Sequence, residues 1–269
     1  MILGLTNTLL SRNRGLTVSP TYNAEVTAWI ARLATEGFAI PSPENLAILN
    51  TFVEGRKSSG VWAKLDLLQI WAQDSASANA GRVNIISPLS TISTIYNAIT
   101  FTNKVDVAGD GVSAYIDTGW NPADNGVNFT QNSASFGAFF SAAGSTDYAL
   151  GLENINNTRY RPRTITSQRL NTSTNISFDA TQGIGFSGIR RTSSSNVNNL
   201  QKDGTVGVDK ASTSTSLLSG NGNFCLFRSQ TNYSDASIGI AFAGGNLTNA
   251  DWLDFRNGVV TYLNAVAAL

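Results

Sequence analysis

Three observations make this chain a mainly β sandwich flanked by helices. Beyond about residue 75 the composition turns to Ser, Thr, Asn and Gly, and short β-prone runs recur between turn residues. Before that point the apolar residues repeat at helical spacing instead, and after Thr248 helical spacing returns. The chain is therefore expected to divide into an extended arm over 1–20, a helical segment over 21–75, and a β-sandwich over 76–269 that closes with a helix over 248–266.

Residues 1–20 carry Arg12 and Arg14 without a clear packing pattern. They are expected to order only against a neighbouring protein. Val26, Trp29, Ile30 and Leu33 fall at i, i+3, i+4 and i+7 on one helix face, and Gly37 suits a left-handed C-terminal cap. Ser42 is placed to accept free amide hydrogens as N-cap, with Pro43 at the first helical position. Leu46, Leu49, Phe52 and Val53 mark the apolar face of that second helix. Trp62, Leu65, Leu68 and the Ile70-Trp71 pair predict a third, short helix.

Strands are expected over 83–86, 94–102, 112–118, 134–141, 148–152, 160–166, 176–178, 183–191, 197–202, 205–208, 224–228 and 237–243. Asp203-Gly204 between two such runs predicts a two-residue hairpin turn with both central residues at positive φ. Residues 212–222 read as a loop. Thr248 and Asp251 form a T-x-x-D capping signal. Trp252, Phe255, Val259, Tyr262, Leu263 and Val266 then make a helical stripe too apolar to stay wet, expected to pack on the N-terminal helices or the sandwich.

Composition removes whole classes of chemistry. The 269 residues hold 18 Lys+Arg and 18 Asp+Glu, no histidine and one cysteine, and 13% are charged against about 25% in a typical domain. Without histidine there is no Ser-His-Asp or Cys-His nucleophile and no imidazole metal site. One cysteine excludes an intrachain disulfide and a multi-cysteine metal site. Zero net charge argues against nucleic acid as a partner. No apolar run approaches the roughly 20 residues of a membrane span, and Met1–Leu10 is too short and polar for a signal h-region, so synthesis in the cytoplasm without membrane insertion is expected.

Paired carboxylates would be the remaining catalytic option. The β region has one Glu, Glu153, and its Asp residues are scattered mostly at turns, where the side chain bonds its own backbone. No enzyme activity, cofactor or metal is expected. Asp106-Val-Ala-Gly-Asp110-Gly111 lacks the spacing and distal Glu of a calcium loop and reads as a strand-to-strand turn. Cys225 lies among Phe224, Leu226 and Phe227 and reads as an inert buried thiol.

Two features suit binding. Arg159, Tyr160, Arg161, Arg163 and Arg169 cluster, and strand alternation would put Arg159, Arg161 and Arg163 on one face. Pro162 points to an edge strand. The patch fits an acidic glycan, a phosphate or an acidic neighbouring subunit, or is simply a solvated face. Trp120 follows a strand and precedes a turn, where an exposed indole could stack on a sugar ring, cap the sandwich or fill an interface.

Several phrases resemble bacteriophage structural proteins with a concanavalin A-like, laminin-G-like domain. Asn50–Asp66 with Leu67–Trp71 is similar to a helical lead-in of that family. Asp110–Pro122 resembles an early strand and turn, Ser135–Phe140 a core strand, and Gly185–Gly207 a characteristic hairpin. Ile240–Thr248 with the final helix resembles the family's C-terminus, and Gly4–Leu10 the start of such proteins. The resemblance implies a jelly roll and a virion component: head decoration, collar part or tail appendage. Its partners would be other virion proteins and copies of itself, with a receptor- or glycan-binding role, on a host-surface glycan, as the alternative. The acidic and Asn ligand set of the calcium-dependent lectins in this superfamily is not matched.

Overall fold

The computed structural model describes residues 21–269 other than 145–146, 156, 165 and 179–181. The arm expected over 1–20 lies outside the described residues. Helix α1 (Ala24–Thr35) starts at Asn23, whose side chain accepts the Val26 amide hydrogen at 3.0 Å, and buries Val26, Trp29 and Leu33. Gly37 follows at φ +67°. Helix α2 (Pro43–Ser58) is capped by Ser42, which accepts from the Asn45 amide at 3.2 Å, and buries Leu46, Leu49, Phe52 and Val53.

The expected third helix is replaced by a strand. Trp62–Lys64 is a single 3-10 turn and Leu65–Ile70 is β1, buried at every residue. Leu67 joins the core on one face of its sheet, while Leu65, Leu68 and Ile70 join the core on the other. A strand covered on both faces has no polar side to alternate with, so its apolar residues imitate helical spacing.

The other strands are β2 (Thr94–Tyr96), β3 (Thr100–Thr102), β4 (Asp106–Ala108), β5 (Tyr115–Asp117), β6 (Ala134–Ala142), β7 (Leu150–Leu152), β8 (Arg159–Tyr160), β9 (Gly185–Arg191) and β10 (Asn196–Leu200). They continue with β11 (Lys210–Ala211), β12 (Phe224–Leu226), β13 (Arg228–Ser229), β14 (Asn232–Tyr233) and β15 (Ser237–Gly244). An eight-stranded antiparallel sheet runs β11-β10-β9-β6-β15-β4-β3, with β1 also paired to β15. A five-stranded sheet runs β2-β5-β12-β7-β8, and β13 and β14 form a separate hairpin. The chain passes repeatedly from one large sheet to the other, which is the connectivity of a jelly roll.

Two apolar layers follow. Phe136, Phe140, Ile189 and Val197 of the large sheet meet Ile116, Leu150, Tyr160 and Phe224 of the smaller one. On the opposite face Phe186, Ile240 and Phe242 meet α1, α2 and helix α4 (Asn249–Ala267). The Thr248–Asp251 capping box is formed, and Trp252, Phe255, Val259, Tyr262 and Val266 are buried. Thus α4 packs on both the sheet and α2, where Arg56 pairs with Asp254.

Several expected strands are shorter than their β propensity suggests, because side chains take over backbone hydrogen bonds. Residues 83–86 form no strand: Asn84 Oδ1 accepts the Leu68 and Ile86 amides at 3.0 and 3.1 Å. Residues 94–102 split between β2 and β3, which belong to different sheets, with Asn97 at φ +59° between them. The 112–118 run begins only at Tyr115, since Asp110 Oδ1 accepts the amides of Val112, Ser113 and Ala114 at 2.8, 2.7 and 2.7 Å. These bonds hold the exposed Asp110 carboxyl well below the usual carboxylate range. Asp106–Ala108, expected as part of that turn, is strand β4.

The 160–166 run ends at Tyr160. Ile176 and Val206 make single bridges, to Gln168 and Leu200, in place of the strands 176–178 and 205–208. In the Asp203-Gly204 turn only Gly204 has positive φ. The Gly204 amide bonds the Gln201 carbonyl at 3.0 Å, so Lys202 and Asp203 are the central pair. Gly204 is the left-handed residue that follows them, the arrangement of a three-residue hairpin loop.

Candidate functional site

Trp120 sits between β5 and helix α3 (Pro122–Asn125). The preceding Gly119 is at φ +67°, and a Cβ there would meet the Thr91 side chain at 2.5 Å. Only 7% of Trp120 is exposed. Its ring lies edge-on to Phe129 at 5.6 Å and to Phe224 at 6.3 Å, so it plugs the space between the sheets. Its buried indole N–H has no hydrogen-bond partner among the described residues.

Trp120 also lines a half-open cleft of about 480 Å³ between the start of β1, the 84–91 segment and the 118–128 segment. The rest of the wall sets the carboxamides and hydroxyls of Asn84, Ser87, Ser90, Thr91, Asn125 and Asn128 among the apolar side chains of Leu65, Leu67, Ile86 and Val127. Asp66 is the acid of this wall, and its carboxylate is committed to holding the 127–129 loop. It accepts from the Val127, Asn128 and Phe129 amides at 3.2, 3.0 and 2.7 Å and from Asn128 Nδ2 at 3.0 Å. Asn84 Nδ2 donates to the Asp66 carbonyl at 2.8 Å, tying the 84–91 wall to β1. Such a cleft offers neutral donors and acceptors beside an aromatic edge, with its framework fixed by buried polar bonds.

The arginine cluster is only partly brought together. Arg159, Arg161 and Arg163 do not share a strand face, because β8 is two residues long. Arg159 and Arg161 instead lie over the Tyr148 ring, at 4.1 and 3.8 Å from its centroid. Arg169 faces Arg159 in a backbone bridge, and both side chains donate to Asn175 Oδ1, at 2.8 and 2.9 Å. Burial pushes the Arg159 pKa down to about 10, with the neighbouring Arg169 and Arg161 charges acting the same way. Arg163 lies apart and donates to the Gly144 carbonyl at 2.6 Å. Tyr160 points the other way, into the core, where its hydroxyl donates to Ser187.

No group of three or more His, Cys, Asp or Glu residues able to hold a metal occurs among the described residues. No described helix is long and apolar enough to cross a membrane. Cys225 is fully buried, and burial pushes its thiol pKa well up, which disfavours the reactive thiolate. Sequence reasoning missed one surface cluster. Tyr96, Tyr115, Tyr233 and Arg228 meet beside the five-stranded sheet from positions 5 to 137 residues apart. Register between distant strands brings Tyr96 and Tyr115 together and the β13–β14 hairpin adds Arg228 and Tyr233, so no single local motif announces them.

No family model and no curated protein matches the sequence. Solved structures with similar folds include domain 4 of AbnA, a GH43 extracellular arabinanase from Geobacillus stearothermophilus, in complex with arabinotriose. It is 13% identical, with a TM-score of 0.44 over 72% of this chain and 98% of that one. The binding domain of botulinum neurotoxin DC in complex with rat synaptotagmin II is 13% identical, with a TM-score of 0.44 over 73% of this chain and 52% of that one. Trypanosoma rangeli sialidase in complex with sialic acid is 11% identical, with a TM-score of 0.45 over 80% of this chain and 39% of that one. The chain thus spans about half of the neurotoxin chain and about two fifths of the sialidase chain. None of these similarities assigns a ligand to this chain.

Proposed function

We propose that this chain is a non-catalytic binding module that takes a neutral glycan in the cleft beside Trp120. The observation that carries the reading is the cleft's lining: hydroxyls and carboxamides set among apolar side chains beside an aromatic edge, with its Asp66 carboxylate already saturated by backbone and side-chain donors. A polyol exchanges donors and acceptors with such a wall without burying a charge. Other acids are likewise committed: Glu153 pairs with Arg228 at 3.2 Å, and Asp117 accepts from Gly119 and Asn223. The setting we propose is a phage particle, on the strength of the phrases that resemble virion proteins, with other virion proteins and further copies of this chain as neighbours and residues 1–20 as the anchor.

The test is a glycan array probed with the full chain and with Ser87→Trp. Ser87 is exposed on the cleft wall, so the indole blocks the site without disturbing the core. At least one neutral oligosaccharide is expected to bind the native chain and to be lost from the variant. A native chain that binds no neutral glycan, or a variant that binds every such glycan as well as the native chain does, overturns the reading. Particles that incorporate a chain lacking residues 1–20 at full occupancy would remove the anchor.

A further inference from the structure

We propose a second binding site on the five-stranded sheet, a tyrosine platform that takes the apolar face of a neutral hexopyranose. It stands apart from the Trp120 cleft and does not depend on it. Tyr96 of the edge strand β2 is paired in register with Tyr115 of β5. Their rings stack at 4.5 Å with 6° between planes, and Tyr96 is 42% exposed. The stack thus leaves the outer face of Tyr96 as one rigid aromatic step at an open edge. Tyr233 tilts against Tyr115 at 6.1 Å and encloses the other side.

A cross-strand aromatic pair alone stabilises a sheet and implies nothing more. The charged groups around it go further. Arg228 lies 4.4 Å over Tyr115 and 6.0 Å from Tyr233, fixed by its Nε bond to the Gln230 carbonyl at 2.6 Å and by Glu153 at 3.2 Å. Arg228 therefore fills the position between two tyrosines that a ligand cation would seek. Its charge is offset by Glu153, and Asp117 lies close by on the same strand as Tyr115. That balance leaves no uncompensated positive charge for an anionic sugar.

The surface therefore presents the flat outer face of Tyr96 on an ordered stack whose neighbouring charges, Arg228, Glu153 and Asp117, already hold partners. A pyranose matches it, with C–H bonds on one face and hydroxyls around the rim. Because the rings and Arg228 are held by their own contacts, little side-chain freedom remains to be lost on binding.

Isothermal titration of the full chain with cellotetraose, maltotetraose and mannotetraose, in a Ser87→Trp background that closes the cleft, tests the proposal. Sialyllactose serves as the anionic probe. At least one neutral tetrasaccharide is expected to bind, with an affinity unchanged by high salt. Tyr96→Ala should weaken it about tenfold, the scale of one aromatic contact, and Tyr96→Phe should retain it.

No binding by any of the three neutral probes overturns the platform. So does a salt-sensitive preference for sialyllactose, or a Tyr96→Ala chain that melts earlier but binds unchanged. The last result would make the tyrosines a cross-strand pair only. If binding of every neutral glycan taken by the native chain survives Ser87→Trp and is lost with Tyr96→Ala, the cleft is retired and the platform kept.

Discussion

Tyr160 of the five-stranded sheet donates its hydroxyl to Ser187 Oγ of the eight-stranded sheet, at 3.0 Å, across the middle of the sandwich. Tyr160 is 2% exposed and Ser187 is fully buried, so this bond joins the two sheets where water does not reach. The tyrosine ring also stacks on Phe140 at 6.1 Å and meets Phe136 edge-on at 6.4 Å. A residue that sits in the sequence among arginines therefore works as a core tie and presents nothing to a ligand.

Tyr160→Phe keeps the ring and strands the Ser187 hydroxyl. It should cost about 1–2 kcal/mol in urea unfolding and leave any glycan binding untouched. Burial also pushes the Tyr160 pKa above its ordinary value of 10. The unfolded chain therefore loses this proton first, so the stabilisation is intact below pH 10 and declines as pH rises beyond it toward the folded value. The variant should lose part of that alkaline slope, with Tyr262, Tyr115 and Cys225, whose pKa values burial also raises, contributing to the remainder. An unchanged slope would show that Tyr160 titrates as if exposed.

Arg191 is fully buried and is held by neutral oxygens. Nε donates to the Leu170 carbonyl at 2.9 Å, NH1 to the Ser212 and Ser193 carbonyls at 2.8 and 3.2 Å, and NH2 to Ser212 Oγ at 3.3 Å. Burial pushes its pKa down to about 10, which still leaves it charged at neutral pH. One planar fork thus stitches three loop segments onto β9. Arg191→Lys keeps the charge but cannot span those acceptors, and should cost about 2–4 kcal/mol. A urea midpoint within error of the native chain would mean the loops hold themselves.

The helices were readable because their signals are local. Ser42-Pro43, Thr248 with Asp251, and the apolar stripes all act within a turn or two of themselves, so no tertiary context is needed to interpret them. The long strands β6, β9 and β15 announced themselves by β-prone runs between turns. Where reading failed, a distant partner decided. Leu65–Ile70 became a strand because helices and a second sheet cover its two faces. Asn84 and Asp110 ended strands early by offering side-chain oxygens to backbone donors. Trp120 was visible as a candidate, yet its burial depends on Phe129 and Phe224. The Tyr96–Tyr115 step depends on the β2–β5 register, which no single segment encodes.

Gly137 of β6 and Gly188 of β9 stand opposite each other in register, under the aromatic layer that seats α4. A Cβ on Gly137 would lie 2.3 Å from the Ser187 carbonyl oxygen, 2.7 Å from the Gly188 Cα and 2.8 Å from Phe242 Cε1. Two of these three contacts are backbone, so the added methyl cannot be accommodated by a side-chain rotation alone. Phe242 is not free to move either: Phe186, Phe255 and Trp252 surround it at 5.3, 5.1 and 6.0 Å. Gly137→Ala must therefore either part β6 from β9 or displace the ring on which α4 rests. Overpacking of this kind costs about 1–3 kcal/mol. At about 2–4 °C per kcal/mol for a chain of this size, the melting temperature should fall by several degrees. Because the strain falls on the α4 side of the sheet, near-ultraviolet dichroism from Trp252 should change while the cleft keeps its ligand. A variant that melts like the native chain would show that β6 and β9 can separate without loss.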